Sequence, residues 1–150
     1  MDYYNKIASG YNELHKEEQL KKLELIKRHV NFEGLVLDIG AGTGISSEYW
    51  RNAKVISLEP AFEMLKQSKC EKVQAKAEEL PFKDEIFDGI ISLTALHHAD
   101  LKEALKEIKR VSKKNAKIVL SFLKKSANKP KNLKGFNKIE EDKDIIFIKN

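Results

Sequence analysis

The stretch LVLDIGAGTG at residues 35–44 contains a carboxylate that is followed by three glycines at every second position. The apolar residues before Asp38 predict a buried strand, and Gly40, Gly42 and Gly44 predict a turn whose backbone can approach a ligand closely. A turn of this kind between a strand and a helix is typical of nucleotide-binding proteins. The glycines alone also allow a tight turn that binds no ligand.

The spacing of the glycines distinguishes this turn from two phosphate-binding loops. A dinucleotide-binding turn reads G-x-G-x-x-G, whereas this chain reads G-x-G-x-G and has Ile45 where that pattern needs Gly or Ala. No G-K-[ST] follows, so the turn is not a P-loop. Glu59 ends the second predicted strand, and a carboxylate there suits the two hydroxyls of an unphosphorylated ribose.

Strand and helix patterns alternate through most of the chain, which predicts an α/β fold with a doubly wound, mostly parallel sheet. The segment 86–93 is nearly all apolar, as in a strand buried on both faces. The segment 100–111 is typical of an amphipathic helix with Asp100 as its N-cap. Strands are predicted at 35–39, 54–59, 72–75, 86–93 and 117–123, and helices at 44–52, 61–69 and 100–111.

The two ends of the chain lie outside this alternation. Residues 126–142 are polar and are predicted to form a loop. Residues 144–150 predict a strand at the edge of the sheet, antiparallel to 117–123 because no helix precedes it to make a parallel crossover. An amphipathic helix is predicted at 17–30, with an apolar face of Leu20, Leu23, Ile26 and Val30.

Composition limits the class of protein. The 150 residues are 41% hydrophobic and 34% charged, which is typical of one folded globular domain. No apolar run approaches the roughly 20 residues that span a bilayer, and the N-terminal residues lack the pattern of a signal peptide. Because Cys70 is the one cysteine of the sequence, the chain cannot form an internal disulfide. A cytoplasmic location without membrane contact is therefore expected.

Positive charge is concentrated near the C-terminal end. Of the net charge of +5, residues 124–150 contribute +4, from eight lysines and four acidic residues. Six of these lysines lie in residues 124–138, which contain no acidic residue. This segment is either a solvated loop or a surface that meets a polyanion such as RNA.

Several stretches together resemble the class I S-adenosylmethionine-dependent methyltransferases, in particular the group related to the quinone-biosynthesis methyltransferases. They are YYNKIASGYNEL, VLDIGAGTG, LEPAFEML and AKAEELPFKDEIFDGIISLTALHH, in the family's order. The resemblance implies a Rossmann-like fold with a shortened C-terminal end and S-adenosylmethionine as cofactor. It also predicts a single domain, with a helical lid at 1–33, a cofactor-binding core at 34–123, and a basic loop with an edge strand at 124–150.

The resemblance also implies roles for individual residues. The loop from Asp38 to Gly44 would wrap the methionine part of the cofactor, with the backbone of Gly40 at its amino group. Glu59 would bind the ribose hydroxyls, and Tyr11 would close over the cofactor. The other implied contacts are Pro60 and Met64 on the adenine, Ala77 and Glu78 at its edge, Ser92, Leu93 and Thr94 beneath the sulfonium, and Ala41 and Gly42 in the loop.

Two residues depart from the family's pattern. Lys76 stands where the family usually has an Asp that bonds the adenine amino group, and lysine has no acceptor atom. Adenine would then be recognised by backbone or by Glu78. Ala61 replaces a Ser that often caps the next helix, which should cost only stability.

The acceptor side of the reaction is less defined. Residues 92–95 read SLTA and lack the Asn/Asp-Pro-Pro-aromatic motif of many nucleic-acid and protein N-methyltransferases. His97 and His98 are the nearby general-base candidates, although a histidine here can also simply pack or bond to backbone. No spacing typical of metal ligands appears, so no metal is expected.

Several acceptors and one non-catalytic role stay open. The short segment after 117–123 makes a closed small-molecule pocket hard to build, which favours tRNA, a protein, or a second subunit that completes the site. A small-molecule enzyme with the N-terminal helix as its lid is the alternative. A non-catalytic cofactor-binding or scaffold subunit of a larger methyltransferase complex is another.

Cofactor choice gives a direct test. S-adenosylhomocysteine should raise the thermal unfolding temperature because it binds only the folded chain, whereas NAD should not. Differential scanning fluorimetry with each ligand measures this. Stabilisation by NAD and none by S-adenosylhomocysteine would contradict the prediction.

Overall fold

The computed structural model describes residues 16–150, and its centre is a single sheet. Its seven described strands are β1 Gly34–Ile39, β2 Ala53–Leu58, β3 Glu71–Val73, β4 Phe87–Leu93, β5 Ser112–Leu123, β6 Asn137–Glu141 and β7 Asp144–Lys149. Their order across the sheet is β3-β2-β1-β4-β5-β7-β6. Strands β1 to β5 pair in parallel, and β7 is antiparallel to both β5 and β6. The predicted doubly wound, mostly parallel sheet is confirmed.

Helices cover both faces of this sheet. The helical residues 16–27, called α1, bury Leu23 and Ile26 completely against one face. On the other face lies α4, Leu101–Val111, where Ala104 and Ile108 point into the core at helical spacing. The short elements between strands are α2 Ile45–Tyr49, α3 Phe62–Leu65 and a 3-10 turn at Leu96–His98.

The N-terminus of α4 is fixed by its capping residue. The Asp100 carboxylate accepts a hydrogen bond from the backbone N–H of Glu103 at 3.4 Å, as predicted from the sequence. Within residues 16–150, no helix has both the length and the apolar character needed to cross a membrane.

Parallel pairing brings the carboxyl ends of four strands to one edge of the sheet. Ile39 at the end of β1 lies beside Leu58 at the end of β2, and Leu93 at the end of β4 pairs with Ser121 in β5. Because β7 is antiparallel, its first residue, Asp144, lies at this same edge. In such sheets ligands bind at this edge, so the fold defines where a site can form.

The predictions near the C-terminal end need correction. Residues 137–141 form β6 and are not loop, so the predicted strand at 144–150 lies inside the sheet and β6 forms its edge. The sequence hides β6 because most of its side chains are exposed and polar, which removes the alternation that marks a half-buried strand. Residues 124–136, between β5 and β6, contain no helix or strand.

The apolar face predicted for α1 is also only partly correct. Leu23, Ile26 and Val30 are buried, but Leu20 is 37% exposed. Strand β5 begins at Ser112, five residues earlier than predicted, and so follows α4 directly.

Candidate active site

The glycine turn after β1 has a backbone that side chains rarely adopt. Gly40, Gly42 and Gly44 have φ values of +70°, +60° and +91°, all in the left-handed region that favours glycine. A Cβ atom at Gly40 would collide with the Cβ of Ala95, and one at Gly44 would lie 2.6 Å from Ser68 Oγ. The loop therefore packs closely on both sides and needs glycine at these positions.

The backbone N–H groups of this loop are used inside the protein. Those of Gly40 and Ala41 both donate to the carbonyl of Leu58, at 2.8 and 3.0 Å. The N–H of Gly42 donates to Glu59 at 2.9 Å, and that of Gly44 to the carbonyl of Ala41 at 3.0 Å. A phosphate-binding loop aims such groups at its ligand. The geometry thus agrees with the prediction from the glycine spacing.

The Glu59 carboxylate lies directly after β2 and joins two loops. It is 6% exposed and accepts hydrogen bonds from Gly42 N at 2.9 Å and from Ala61 N at 3.0 Å. Burial raises the pKa of this carboxyl, while the two backbone hydrogen bonds and nearby His98 oppose the rise. Each carboxylate oxygen has a second acceptor position, so the group can also bind hydroxyls of a ligand.

Asp38 lies beneath the glycine loop, at the end of a chain of buried hydroxyls. Ser47 Oγ donates to Asp38 at 2.7 Å, and Ser57 Oγ donates to Ser47 at 2.5 Å. Since the single proton of Ser57 is used, Ser68 Oγ donates to Ser57 at 2.9 Å. Ser68 accepts from Cys70 N at 3.2 Å. The three hydroxyls all point their protons toward Asp38.

This serine chain was missed by the sequence analysis, and one signal could have found it. Ser57 lies between the apolar residues Ile56 and Leu58 of β2 and is completely buried. A buried hydroxyl needs a partner, so a serine inside a central strand indicates a polar network. Burial raises the pKa of Asp38 to about 7, and the hydrogen bond from Ser47 limits the rise.

An open groove of about 950 Å³ runs along the carboxyl edge of the strands. Its lining includes the glycine loop and Glu59 together with residues of α1, β7 and the 3-10 turn. Among the residues singled out from the sequence, those lining the groove are Gly40, Gly42, Glu59, Pro60, Met64, Leu93, Thr94, His97 and His98.

Other predicted site residues lie behind the groove wall. Ser92 is completely buried and donates to the carbonyl of Ile39 at 2.9 Å. Ala77 belongs to the core, and Glu78 accepts from Asp100 N at 3.1 Å. Ala41, Asp38 and Gly44 form the body of the loop, and Tyr11 lies outside the described residues.

The groove lining also contains Lys22 and Asp144, which the sequence analysis did not select. Lys22 of α1 forms an ion pair with Asp144 of β7 at 3.2 Å and donates to Thr94 Oγ1 at 3.3 Å. These three residues are far apart in the sequence, so no local pattern could have indicated that they meet. The groove is thus lined by both ends of the described chain.

The two histidines of the 3-10 turn stack beside the groove, with ring centroids 3.9 Å apart. Burial, and secondarily the neighbouring His98, lower the pKa of His97. Its Nδ1 atom is buried without a hydrogen-bond partner in the described part of the chain. Within residues 16–150, no cluster of three or more His, Cys, Asp or Glu side chains is arranged to hold a metal ion.

The hydrogen bonds of Glu59 change the effect on stability that we expect from the substitution Glu59→Ala. From the sequence, Glu59→Ala should weaken S-adenosylhomocysteine binding and leave folding almost unchanged. Because its carboxylate bonds two backbone N–H groups, we now expect losses of about 1.5–3 kcal/mol in binding and about 1–3 kcal/mol in the free energy of unfolding. Titration calorimetry and urea unfolding measure the two losses. Unchanged affinity would mean that another group holds the ribose.

The raised pKa of Asp38 predicts that the free energy of unfolding depends on pH. Its pKa in the folded chain, about 7, lies above its ordinary value of 3.8. The unfolded chain therefore releases this proton first, and the contribution to stability falls by at most about 4 kcal/mol as pH rises from about 4 to 7. Asp38→Asn keeps an acceptor for Ser47 and should lack this fall. Urea unfolding of both proteins at about pH 5 and pH 8 compares them, and equal pH dependence would contradict the assignment.

Comparison with known proteins places this site in a family. The family described as "Methyltransferase domain" matches residues 37–120. The uncharacterized protein MJ1252 of Methanocaldococcus jannaschii is 40% identical over 119 residues, covering 75% of this chain and 47% of that protein. A demethylmenaquinone methyltransferase of Renibacterium salmoninarum is 37% identical over 94 residues, covering 57% of this chain and 40% of that protein.

A solved structure supports the same conclusion. The S-adenosylmethionine-dependent methyltransferase of Thermotoga maritima superimposes with a TM-score of 0.71 at 28% identity, covering 80% of this chain and 60% of that one. The chain spans from about half to three fifths of the length of the first curated relatives that it matches. The glycine turn, whose N–H groups at Gly40, Ala41, Gly42 and Gly44 bond within the protein, the buried acid after β2 and the adjoining groove fit this cofactor. The chain belongs to the class I S-adenosylmethionine-dependent methyltransferases.

Proposed function

We propose that this chain transfers the methyl group of S-adenosylmethionine to an acceptor bound in the same groove. One observation carries the proposal. A single groove is lined by Gly40, Gly42 and Glu59 and also by Thr94 and His97. When bound, the cofactor supplies a methyl group on a positively charged sulfur, already activated for displacement. The protein then needs mainly to align an acceptor with it.

Each of the residues proposed to bind the cofactor would contact a different part of it. Glu59 would accept hydrogen bonds from the ribose hydroxyls, and Pro60 and Met64 would pack on the adenine. Lys76 is exposed and offers no acceptor to the adenine amino group. Glu78 has one oxygen engaged by Asp100 N at 3.1 Å, so its other oxygen or a backbone group would read the adenine.

Methyl transfer itself is the first test of the proposal. Methyl-labelled S-adenosylmethionine is incubated with the chain and either purified tRNA or a pool of small metabolites, with Glu59→Ala as the control. Label should pass to one pool and be lost in the variant. Binding of S-adenosylhomocysteine without transfer to any acceptor would instead support the non-catalytic cofactor-binding subunit.

The names of the relatives do not select one acceptor. They include a demethylmenaquinone methyltransferase, a malonyl-[acyl-carrier protein] O-methyltransferase and a probable tRNA methyltransferase. The Thermotoga maritima structure is described as a possible histamine N-methyltransferase. A complex of a Haloferax volcanii methyltransferase with its Trm112 activator shares the fold at 19% identity and favours neither a catalytic nor a scaffold role here.

The charge of the groove favours a small acceptor inside it. Its lining contains five basic and six acidic side chains, so the interior is close to neutral. A polyanion gains its affinity from unpaired basic groups, and this balance does not supply them. The charged lining residues are Lys21, Lys22, Arg28, Lys125 and Lys143, with Glu18, Glu24, Glu59, Glu141, Asp142 and Asp144.

RNA is a second candidate because a basic loop lies at the rim of the groove. The loop at 124–136 is attached to the 3-10 turn, where Asn128 Nδ2 donates to the carbonyls of His97 and Ala99 at 3.0 and 2.9 Å. Lys125 also lines the groove. Lysines of this loop could guide a phosphate backbone toward the groove without reading its sequence.

Salt dependence decides whether the lysines bind RNA. If they do, filter binding of tRNA weakens with salt, with a slope of log affinity against log salt of about −0.7 per phosphate contacted on single strands. Replacing Lys124, Lys125, Lys129 and Lys131 by Gln should flatten this slope and leave S-adenosylhomocysteine binding intact.

A matched variant controls for net charge. Lys54, Lys83, Lys109 and Lys114 are exposed and lie away from the basic loop, and their replacement by Gln removes the same charge. The control should keep the salt slope of the unmodified chain. No detectable tRNA binding at the lower salt concentration, or an equal loss in both variants, would remove the RNA candidate and leave the small acceptor.

A further inference from the structure

An almost buried ion pair forms the acceptor-side wall of the groove. Lys22 Nζ lies 3.2 Å from Asp144 Oδ2, and the two side chains are 13% and 17% exposed. The same Nζ donates to Thr94 Oγ1 at 3.3 Å. The positive charge of Lys22 is therefore already matched by Asp144, and two of its three N–H groups are used.

Thr94 holds an unfavourable backbone conformation at this wall. Its φ is +50°, which is rare for a β-branched residue. The conformation is fixed because Thr94 N donates to both the carbonyl and the hydroxyl of Ser121, at 3.1 and 3.0 Å. Strain of this kind persists where the surroundings enforce it and is concentrated at functional sites.

Three buried atoms of residues that line the groove lack a hydrogen-bond partner in the described part of the chain. They are Asp144 Oδ1, Gln19 Oε1 and His97 Nδ1. All three residues line the groove, and Gln19 is three positions before Lys22, so both lie on the same side of α1. Two of these atoms can only accept a hydrogen bond, and neutral His97 can also accept one. An unpaired buried acceptor is costly, so each requires an explanation.

We propose that this wall binds the methyl acceptor through a primary amine, whose N–H groups donate to Asp144 Oδ1 and to Gln19 Oε1. The inference rests on the proposed methyl transfer and names its substrate class. A primary amine carries at least two N–H groups, whereas a hydroxyl carries one O–H and a carboxylate or phosphate presents acceptors only. An anion would also face the Asp144 carboxylate, beside a lysine that is already paired.

An amine that enters as its ammonium form first loses one proton to water in the open groove, and the step then balances with the neutral amine. The nitrogen lone pair forms the new C–N bond, and the electron pair of the broken C–S bond stays on sulfur. The product is a protonated secondary amine, which releases its proton to water through the open groove. Asp144 and Gln19 hold the N–H groups, which leaves the lone pair of the nitrogen free to face the methyl group.

Matched probes test the amine directly. The full chain, saturated with S-adenosylhomocysteine, is titrated with 2-phenylethylamine, 2-phenylethanol and 3-phenylpropionate, and binding is followed by saturation-transfer NMR. The amine should bind about tenfold more tightly than the other two, as expected for a hydrogen bond to a charged group. Equal binding of the amine and the alcohol would overturn the proposal.

Two variants separate this role from a general charge effect. Asp144→Asn replaces one of the two acceptor oxygens by a donor and should abolish the preference for the amine. Asp142→Asn removes the same charge from an exposed residue lining the same groove and should keep that preference. An equal loss in both variants would overturn the proposal.

A third variant excludes a purely structural role for the ion pair. Lys22→Met breaks the contact between α1 and β7 but frees Asp144 Oδ2 as a further acceptor. Amine binding should be retained or strengthened if Asp144 binds the ligand, and lost if the pair only holds α1 in place. Binding of S-adenosylhomocysteine is measured in every variant. If the unmodified chain does not bind S-adenosylhomocysteine, the proposed function is contradicted. If it binds S-adenosylhomocysteine but does not prefer the amine, only this inference is contradicted.

Discussion

The two hydrogen bonds accepted by Glu59 are the contacts on which the cofactor side of the site depends. They connect the glycine loop after β1, through Gly42 N, with the N-terminus of α3, through Ala61 N. Ala61 has no side-chain cap of its own, and Glu59 accepts from the N–H of Ala61 itself, not from the following N–H groups that a capping serine would bond. The same group that would bind the ribose thus also positions both loops that surround it.

The polar groups beneath the loop extend this arrangement into the protein. Ser47 and Ser57 direct their protons toward Asp38, and Ser68 closes the chain from the side of α3. A buried carboxylate would be costly without such donors. Gly44 also packs directly against Ser68. Both close packing and the hydrogen bonds of the serine chain therefore hold the loop in place. A loop that is already fixed before a ligand binds lowers the ordering cost of association.

The parts of the molecule that were predictable are those determined by local sequence. Strands β1 and β4 and the second halves of β2 and β5 are mostly buried and apolar, and the cap of α4 depends on Asp100 and the residues just after it. Strand β6 was missed because its side chains are mostly exposed, so no periodic signal remains. The second role of Glu59 and the meeting of Lys22 with Asp144 depend on the assembled sheet edge. The sequence contains the residues of these contacts but no pattern that relates them.

The residues that line the groove also differ in whether they lie inside the range matched by the family. The glycine loop, Glu59 and Thr94 all lie inside the matched residues 37–120. Lys22, Asp144 and the basic loop at 124–136 lie outside them. The matched part contains the residues proposed to bind the cofactor, whereas the proposed acceptor wall joins Thr94 of the matched part with a helix before it and a strand after it. Under this proposal, relatives with different named acceptors would share the cofactor side of the site and differ in the elements that flank it.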